Sequence, residues 1–436
     1  MEKILKQALK KAESAELFYA DARKAEVQYE AGKLKLVNSE RRTGAALRAI
    51  KGGKLGFAST TDFTQSDRMV GLALDAAAAG PAAKFAFPGP AAGVQVVDTM
   101  KPSAAKLGVS EIVEMGAKFV EKLKKLSPEC YPETSITVEQ EKIRILNSSG
   151  LDYETELGMY SVYFGANVVK GSDVLMIPGF CIPLEGEYDA ESAAELVAKK
   201  ISLAQSIVDA ETGPTRILFS PMGMDSLLLP FQMGFNGKAV EMGVSPIKGL
   251  MGKRAVSEAL TVWNDPTVKY WFRSGGLDHE GMQTRKTPLI SAGVVGEPFY
   301  DLLTADMYGK RSTGSGYRSS FETPPSPSPS LISIEPGYKS FDELLELTGD
   351  GLLIEYCLGV GQGNAMAGTF SNNVGLGYRI KGGKIVGRVK NLMIAGNSYD
   401  LFAKGLVAMS RDRDFSMSMC LTPHMLIDGV SVTAKS

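Results

Sequence analysis

The sequence predicts an α+β fold: an N-terminal domain that uses a helix–antiparallel-strands–helix unit twice, then a β-rich C-terminal domain. Three observations lead there. A heptad recurs, with Lys33–Ser39 reading KLKLVNS and Lys142–Ser148 reading KIRILNS. Helical apolar patterns flank each copy. The second half then changes texture to short, glycine-punctuated β-like runs. The expected division is residues 1–212, with copies at about 1–80 and 109–210, and residues 213–436.

The elements follow in chain order. Ile4, Leu5, Ala8, Leu9 and Ala12 share one face of a helix. Ala45–Ile50 and Gly56–Ser59 are strand-like around the Lys51-Gly52-Gly53-Lys54 turn, and a helix covers about Asp67–Ala79. Residues 80–103 are rich in Pro, Gly and Ala and read as a connection. Ile112, Met115, Phe119, Leu123 and Leu126 form the next apolar face, opened at Ser110 and stopped at Ser127-Pro128. Met159–Asn167 is strand-like. Glu191–Asp209 is a helix with Asp189 as its N-cap. The repeat is too widely spaced for a solenoid.

In the second half, β-like runs fall at Ile217–Ser220, Leu289–Ile290, Leu352–Cys357, Gly377–Ile380, Ile385–Val389 and Leu392–Ala395. Gly382-Gly383 supplies a hairpin turn. Asn397 caps a helix over about Tyr399–Met409. Thr323–Ser330 (TPPSPSPS) reads as an extended, exposed loop. A curved or partly closed sheet is expected.

Bulk properties exclude several function classes. Of the 436 residues, 44% are hydrophobic and 22% charged, with a net charge of −1. That is a globular composition with no electrostatic case for nucleic acid or anionic membrane. No run of about 18 apolar residues marks a membrane span. The start, MEKILKQALKKAE, has no apolar core of a secretion signal. Cys130, Cys181, Cys357 and Cys420 form no CxxC pair, so free thiols in a cytoplasmic setting are expected.

The motifs carry a resemblance. Gly44, Arg48 and Gly56-Phe57-Ala58 mark the first half. Asp278-His279-Glu280-Gly281-Met282-Gln283-Thr284-Arg285, Thr313-Gly314-Ser315-Gly316, Ala367–Ser371 with Gly375 and Gly377, and Ile394-Ala395-Gly396-Asn397 with Asp400 mark the second. In order and spacing these resemble the TldD/PmbA family along essentially the whole chain. The resemblance implies a peptidase system with two branches. TldD-like members carry HExxxH on a helix plus a late cysteine and bind metal. PmbA-like members, also called TldE, lack that motif and pair with TldD. It also implies an association with modulation of DNA gyrase.

This chain looks like the metal-free branch. A zinc peptidase needs three protein ligands, an open position and a carboxylate base. The only histidines are His279 and His424. The stretch where the metal helix is expected, about Met224–Val240, has neither His nor Glu; its Gln232 and Asn236 are poor zinc ligands. His279-Glu280 has no second histidine at useful spacing, and His279 reads as a loop-surface residue. Cys420 and His424 (C-x3-H) are the remaining weak metal candidates, set against a buried thiol beside Pro423. No GxSxG elbow is present.

Asp278 and Glu280 could pair for acid–base work, but Glu280 reads more simply as ordering its glycine loop. Gly359–Gly363 (GVGQG) lacks the lysine of a phosphate loop and reads as turns. A peptide cleft formed by strand addition is expected around Gly368–Gly377 and Gly396–Asn397. The candidate peptide-contacting residues are Glu280, Thr284, Gly368, Phe370, Ser371, Gly396 and Asn397. Ser226–Phe235 is either core or subunit contact.

The functional expectation is a non-metal-binding subunit of a TldD/TldE-type metallopeptidase complex acting on unfolded peptides and peptide precursors. It has no cofactor of its own, and zinc is supplied by a TldD-like partner. The alternatives are a stand-alone homodimer that binds peptides or small molecules, and a regulator linked to DNA gyrase. No direct nucleic acid or membrane contact is expected.

Overall fold

The computed structural model describes residues 1–362 and 364–434. Gly363, the last residue of the GVGQG run, lies outside the described residues.

The first part runs α1 (Glu2–Ala8), β1 (Ser14–Glu30), β2 (Lys33–Lys51), β3 (Lys54–Thr60) and α2 (Ser66–Ala76). The same order then returns as α3 (Val109–Leu126), β4 (Tyr131–Asn147), β5 (Asp152–Lys170), β6 (Asp173–Cys181) and α4 (Ala190–Leu203). All six strands form one antiparallel sheet, ordered β3-β2-β1-β4-β5-β6. The two units meet where β1 pairs β4. Asp189 caps α4 by accepting from the N–H groups of Glu191 and Ser192.

The heptads occupy different places in the two units. Lys33–Ser39 opens the second strand of the first unit, whereas Lys142–Asn147 ends the first strand of the second unit. Their surroundings are opposite. Residues 33–39 are exposed, while Ile143, Ile145 and Leu146 are buried. By strand order Lys33 corresponds to Asp152, and Lys54 to Asp173. Alternating apolar letters specify a strand but not which strand it pairs with, so the heptad match points to a real duplication in the wrong register.

The C-terminal part continues with β7 (Gly213–Phe219), α5 (Asp225–Gly234), α6 (Gly237–Glu241), α7 (Ile247–Leu250), β8 (Val262–Asn264), β9 (Thr287–Ser291) and β10 (Val294–Val295). Next come α8 (Leu302–Met307), β11 (Gly316–Tyr317), β12 (Ser326–Pro327), β13 (Ile332–Ile334) and α9 (Phe341–Thr348). The chain ends with β14 (Gly351–Leu358), β15 (Thr369–Lys381), β16 (Lys384–Arg388), β17 (Leu392–Asn397), α10 (Ser398–Lys404), β18 (Leu406–Phe415) and β19 (Leu421–Ala434).

Strand pairings close a ring through β7, β14, β15, β17 and β19, because β19 pairs both β17 and β7. One ring face, with Ile217, Phe219 and Ile354, packs on α5 and the loops that follow. The other, with Leu218, Leu353, Tyr378 and Leu426, joins Phe119, Tyr160, Phe164 and Val197 in a core shared with the N-terminal sheet.

Two local expectations change. The helix capped by Asn397 ends at Lys404, and Leu406–Phe415 is a strand; pairing with β19 outweighs helical propensity there. Thr323–Ser330 is not a free loop. Pro325, Pro327 and Ser330 are buried, and Asn236 Nδ2 donates to Pro327 O at 2.9 Å. The Gly382-Gly383 hairpin turn forms with both φ angles positive, at 54° and 73°.

Candidate functional site

The sequence motifs gather in two separate places. The first is a buried charge network between the N-terminal sheet and the C-terminal loops. Glu16 and Arg48 face each other across β1 and β2. Arg48 Nε and Nη2 donate to the Glu16 carboxylate at 3.0 and 2.7 Å, and its Nη1 donates to Glu280 Oε1 at 2.5 Å. Arg318 Nη2 donates to Glu16 Oε1 at 2.8 Å. Glu16 and Glu280 are 0% exposed and Arg48 is 1% exposed. Two guanidinium cations thus bridge two carboxylates in a buried interface, a geometry that makes unpairing costly.

The motif loop is built around that network. Asp278 accepts the N–H groups of Glu280 and Met282 on one oxygen and that of Gly316 on the other. The loop is therefore ordered by Asp278, where the sequence pointed to Glu280. Glu280 instead accepts from Arg48 and from the Leu302 N–H at 2.7 Å. Gly316 is required by contact, because a Cβ there would lie 2.2 Å from Glu280 Oε2. Burial raises the Glu280 carboxyl to about 7 against the pull of the Arg48 guanidinium. Asp278 is also raised, by burial and by the nearby Glu280 charge.

His279 is half-buried between the Phe18 and Tyr317 rings, and its Nδ1 accepts from the Arg318 N–H at 3.1 Å. It is a packed, hydrogen-bonded residue and not a loop-surface one. Burial lowers its pKa to about 3. Thr284 Oγ1 donates to Gly275 O, which closes the same loop. Glu280 and Thr284 accordingly serve the joint between domains, and Glu280 has no surface to offer a peptide.

The second gathering is on β15 and β17. Thr369 pairs Asn397, Phe370 pairs Gly396 and Ser371 pairs Ala395. Asn397 accepts from the N–H groups of Tyr399 and Asp400, and its Nδ2 donates to Ala367 O. Gly368 has φ 84°, and a Cβ there would strike the Tyr399 ring at 2.5 Å. Gly368 and Phe370 are buried, whereas Thr369 and Ser371 are exposed. Five of the seven expected contact residues therefore lie together, apart from Glu280 and Thr284. Among the described residues, Thr369–Asn372 pairs with β17 alone. Tyr399 OH reaches Pro230 O at 3.3 Å, which ties this region to α5.

Helix α5 is where metal ligands are expected. Gln232 Nε2 contacts Cys420 Sγ at 2.7 Å and Ser418 O at 3.0 Å. A six-residue HExxxH window ending at Gln232 reads Leu227–Gln232 (LLLPFQ), in which Leu227 and Leu228 are buried core. Burial pushes the Cys420 thiol up to about 12, so it stays protonated. Asp225 is engaged by the N–H and hydroxyl of Ser418. An amide, a protonated thiol and two leucines do not fit zinc. Among the described residues, no three His, Cys, Asp or Glu side chains are grouped to hold a metal ion.

His424 is not beside Cys420. Four residues along an extended strand separate them by roughly 13 Å. His424 instead packs edge-on against Phe341 at 5.1 Å, inside a large cavity. Burial lowers its pKa to about 4. That cavity carries no sequence motif and was not anticipated; its residues come from nine separate segments. Ser226–Phe235 is mostly core, with Met233 exposed. No described helix is long and apolar enough to cross a membrane.

Fold and site together define a two-part α+β scaffold whose helix α5 carries neither histidine nor glutamate. Residues 212–434 match the PmbA/TldA metallopeptidase C-terminal domain, and residues 15–80 match its domain 1. The chain belongs to the TldD/PmbA family. It is 25% identical over 420 residues to an uncharacterized protein of Methanocaldococcus jannaschii, spanning 93% of this chain and 94% of that one. It is 25% identical over 404 residues to a protein of Methanothermobacter thermautotrophicus named as a metalloprotease, spanning 89% and 86%. The crystal structure of TldE from Thermococcus kodakarensis shares the fold, with a TM-score of 0.90 at 23% identity and full coverage of both chains.

Proposed function

We propose that this chain is the non-metal-binding subunit of a TldD/TldE-type metallopeptidase complex that acts on unfolded peptides and peptide precursors. The carrying observation is the Gln232–Cys420 contact, an amide and a protonated thiol at the one place where helix and late cysteine meet. Zinc and the catalytic carboxylate come from a TldD-like partner. Exposed Met233, Met417 and Met419 adjoin the Gln232–Cys420 contact. Such an apolar, adaptable cluster suits a subunit interface. The β15–β17 segment around Ser371, Gly396 and Asn397 is then the peptide-facing part of this subunit.

The test mixes the purified chain with a TldD-like metalloprotease. A 1:1 complex by light scattering, and faster cleavage of an unfolded peptide than by the partner alone, are expected. Met417→Asp should prevent association. Neither complex nor gain in cleavage would overturn the reading. A stable homodimer of the chain by itself, with no response to the partner, would favour the stand-alone alternative.

A further inference from the structure

A cavity of about 750 Å³ lies on the face of the C-terminal ring that meets the N-terminal sheet, opposite the face that carries α5. Its size is within the range of small-molecule sites, roughly 300–1,000 Å³. Phe164, Phe180, Phe341 and Phe415, with Met222 and Leu345, make its apolar walls. The floor is polar and formed by β14, α4, β18 and β19.

On that floor, Lys200 Nζ pairs with Glu355 Oε2 at 2.8 Å, both side chains being near 12–13% exposed. Glu355 Oε1 has no partner among the described residues. Asp414 lines the cavity and is exposed; its Oδ1 accepts the Phe415 N–H at 2.8 Å, and Oδ2 has no partner among the described residues. Neither ring nitrogen of His424 has a partner among the described residues; only its backbone N–H is engaged, by Ser410. The floor thus holds two carboxylates, one ammonium and a neutral imidazole. At the rim stand Lys199, Lys384, Asp342 and Glu346. Burial raises the Asp414 carboxyl against the pull of the Phe415 N–H and of the Lys200 charge.

We infer that this cavity binds a small molecule with an apolar body and a primary ammonium head, the head lying between Glu355 and Asp414 and the body against the phenylalanines. A carboxylate head would meet two like charges and one already paired lysine. An ammonium between two carboxylates gains charge-assisted hydrogen bonds, the stronger kind. The ammonium can come from the free N-terminus of a short apolar peptide or from an aralkylamine.

Calorimetry on the full chain at neutral pH tests this with four probes: leucyl-phenylalaninamide, its N-acetyl form, 4-phenylbutylamine and 4-phenylbutyrate. At least one amine should bind. Acetylation, or exchange of amine for carboxylate, should weaken binding by about tenfold or more, the loss of one charge-assisted bond. Asp414→Asn keeps the Phe415 N–H bond and should weaken the amine to a similar degree with an unchanged melting temperature. Leu345→Trp should block binding by filling the cavity. Binding by the dipeptide alone identifies a peptide as the source, and binding by phenylbutylamine identifies the bare amine as sufficient. Equal binding of the acetylated or carboxylate probe, an unaffected Asp414→Asn variant, or no binding by either amine would overturn the inference. None of these results depends on a TldD-like partner.

Discussion

Arg48→Met should be among the most damaging single substitutions in the chain. It removes one of two cations that balance Glu16 and Glu280, all three side chains being at most 1% exposed. Arg318 retains its bond to Glu16, but its Nε has no partner and burial already lowers its pKa to about 10. Its hydrogen bonds go to Glu16 and Thr323 O, and none reaches Glu280. Breaking a buried pair on one side costs about 3–5 kcal/mol, more than a hundredfold in the folding equilibrium. The cost is unpaired charge and not lost packing volume, since methionine fills much of the same space.

Urea denaturation followed by circular dichroism measures the loss. Because the network joins the two parts of the molecule, the variant should also unfold in two separated transitions. The double variant Arg48→Met with Glu280→Leu removes the stranded carboxylate and should recover about 1–3 kcal/mol relative to Arg48→Met alone. Strict additivity, or a loss below about 1 kcal/mol for Arg48→Met, would refute the account of the network as a charge-balanced joint.

Three further outcomes are expected. Gly56→Ala would place a Cβ 1.8 Å from Ala73 O of α2, so the helix must shift, with a loss of about 1–3 kcal/mol readable as a lower melting temperature; an unchanged melting temperature would contradict this close packing. Stability should fall with acidification before most carboxylates titrate, because His424 and His279 stay neutral in the fold down to about 4 and 3, whereas the unfolded chain takes up protons near 6.5. Their contribution is complete above pH 6.5 and is lost as pH falls towards those values; His424→Gln should flatten the stability profile across that window, and an unaltered slope would count against it. Cys420, fully buried with its thiol raised to about 12, should react with a thiol reagent at pH 8 only after unfolding; rapid labelling of the native chain would show that the Gln232–Cys420 contact opens to solvent.

The sequence by itself determined the α+β class, the twice-used unit and the lack of His and Glu in α5. Those features are carried by local periodicity, by capping residues such as Asp189 and Asn397, and by residue identity at Leu227–Gln232. The family motifs were also legible as letters, but not what they do. Asp278, Glu280 and Gly316 read as a glycine loop with paired acids. Only the fold shows that Arg48, more than 200 positions earlier, reaches into that loop and turns it into a joint between domains. The repeat register was misread because an exposed and a buried strand can share the same apolar alternation, and pairing is set by neighbours that a strand's own letters do not name. The cavity with Lys200, Glu355, Asp414 and His424 had no signature at all. Each of those residues is an ordinary polar position in its own segment. Only when α4, β14, β18 and β19 pack against one another do they line one cavity.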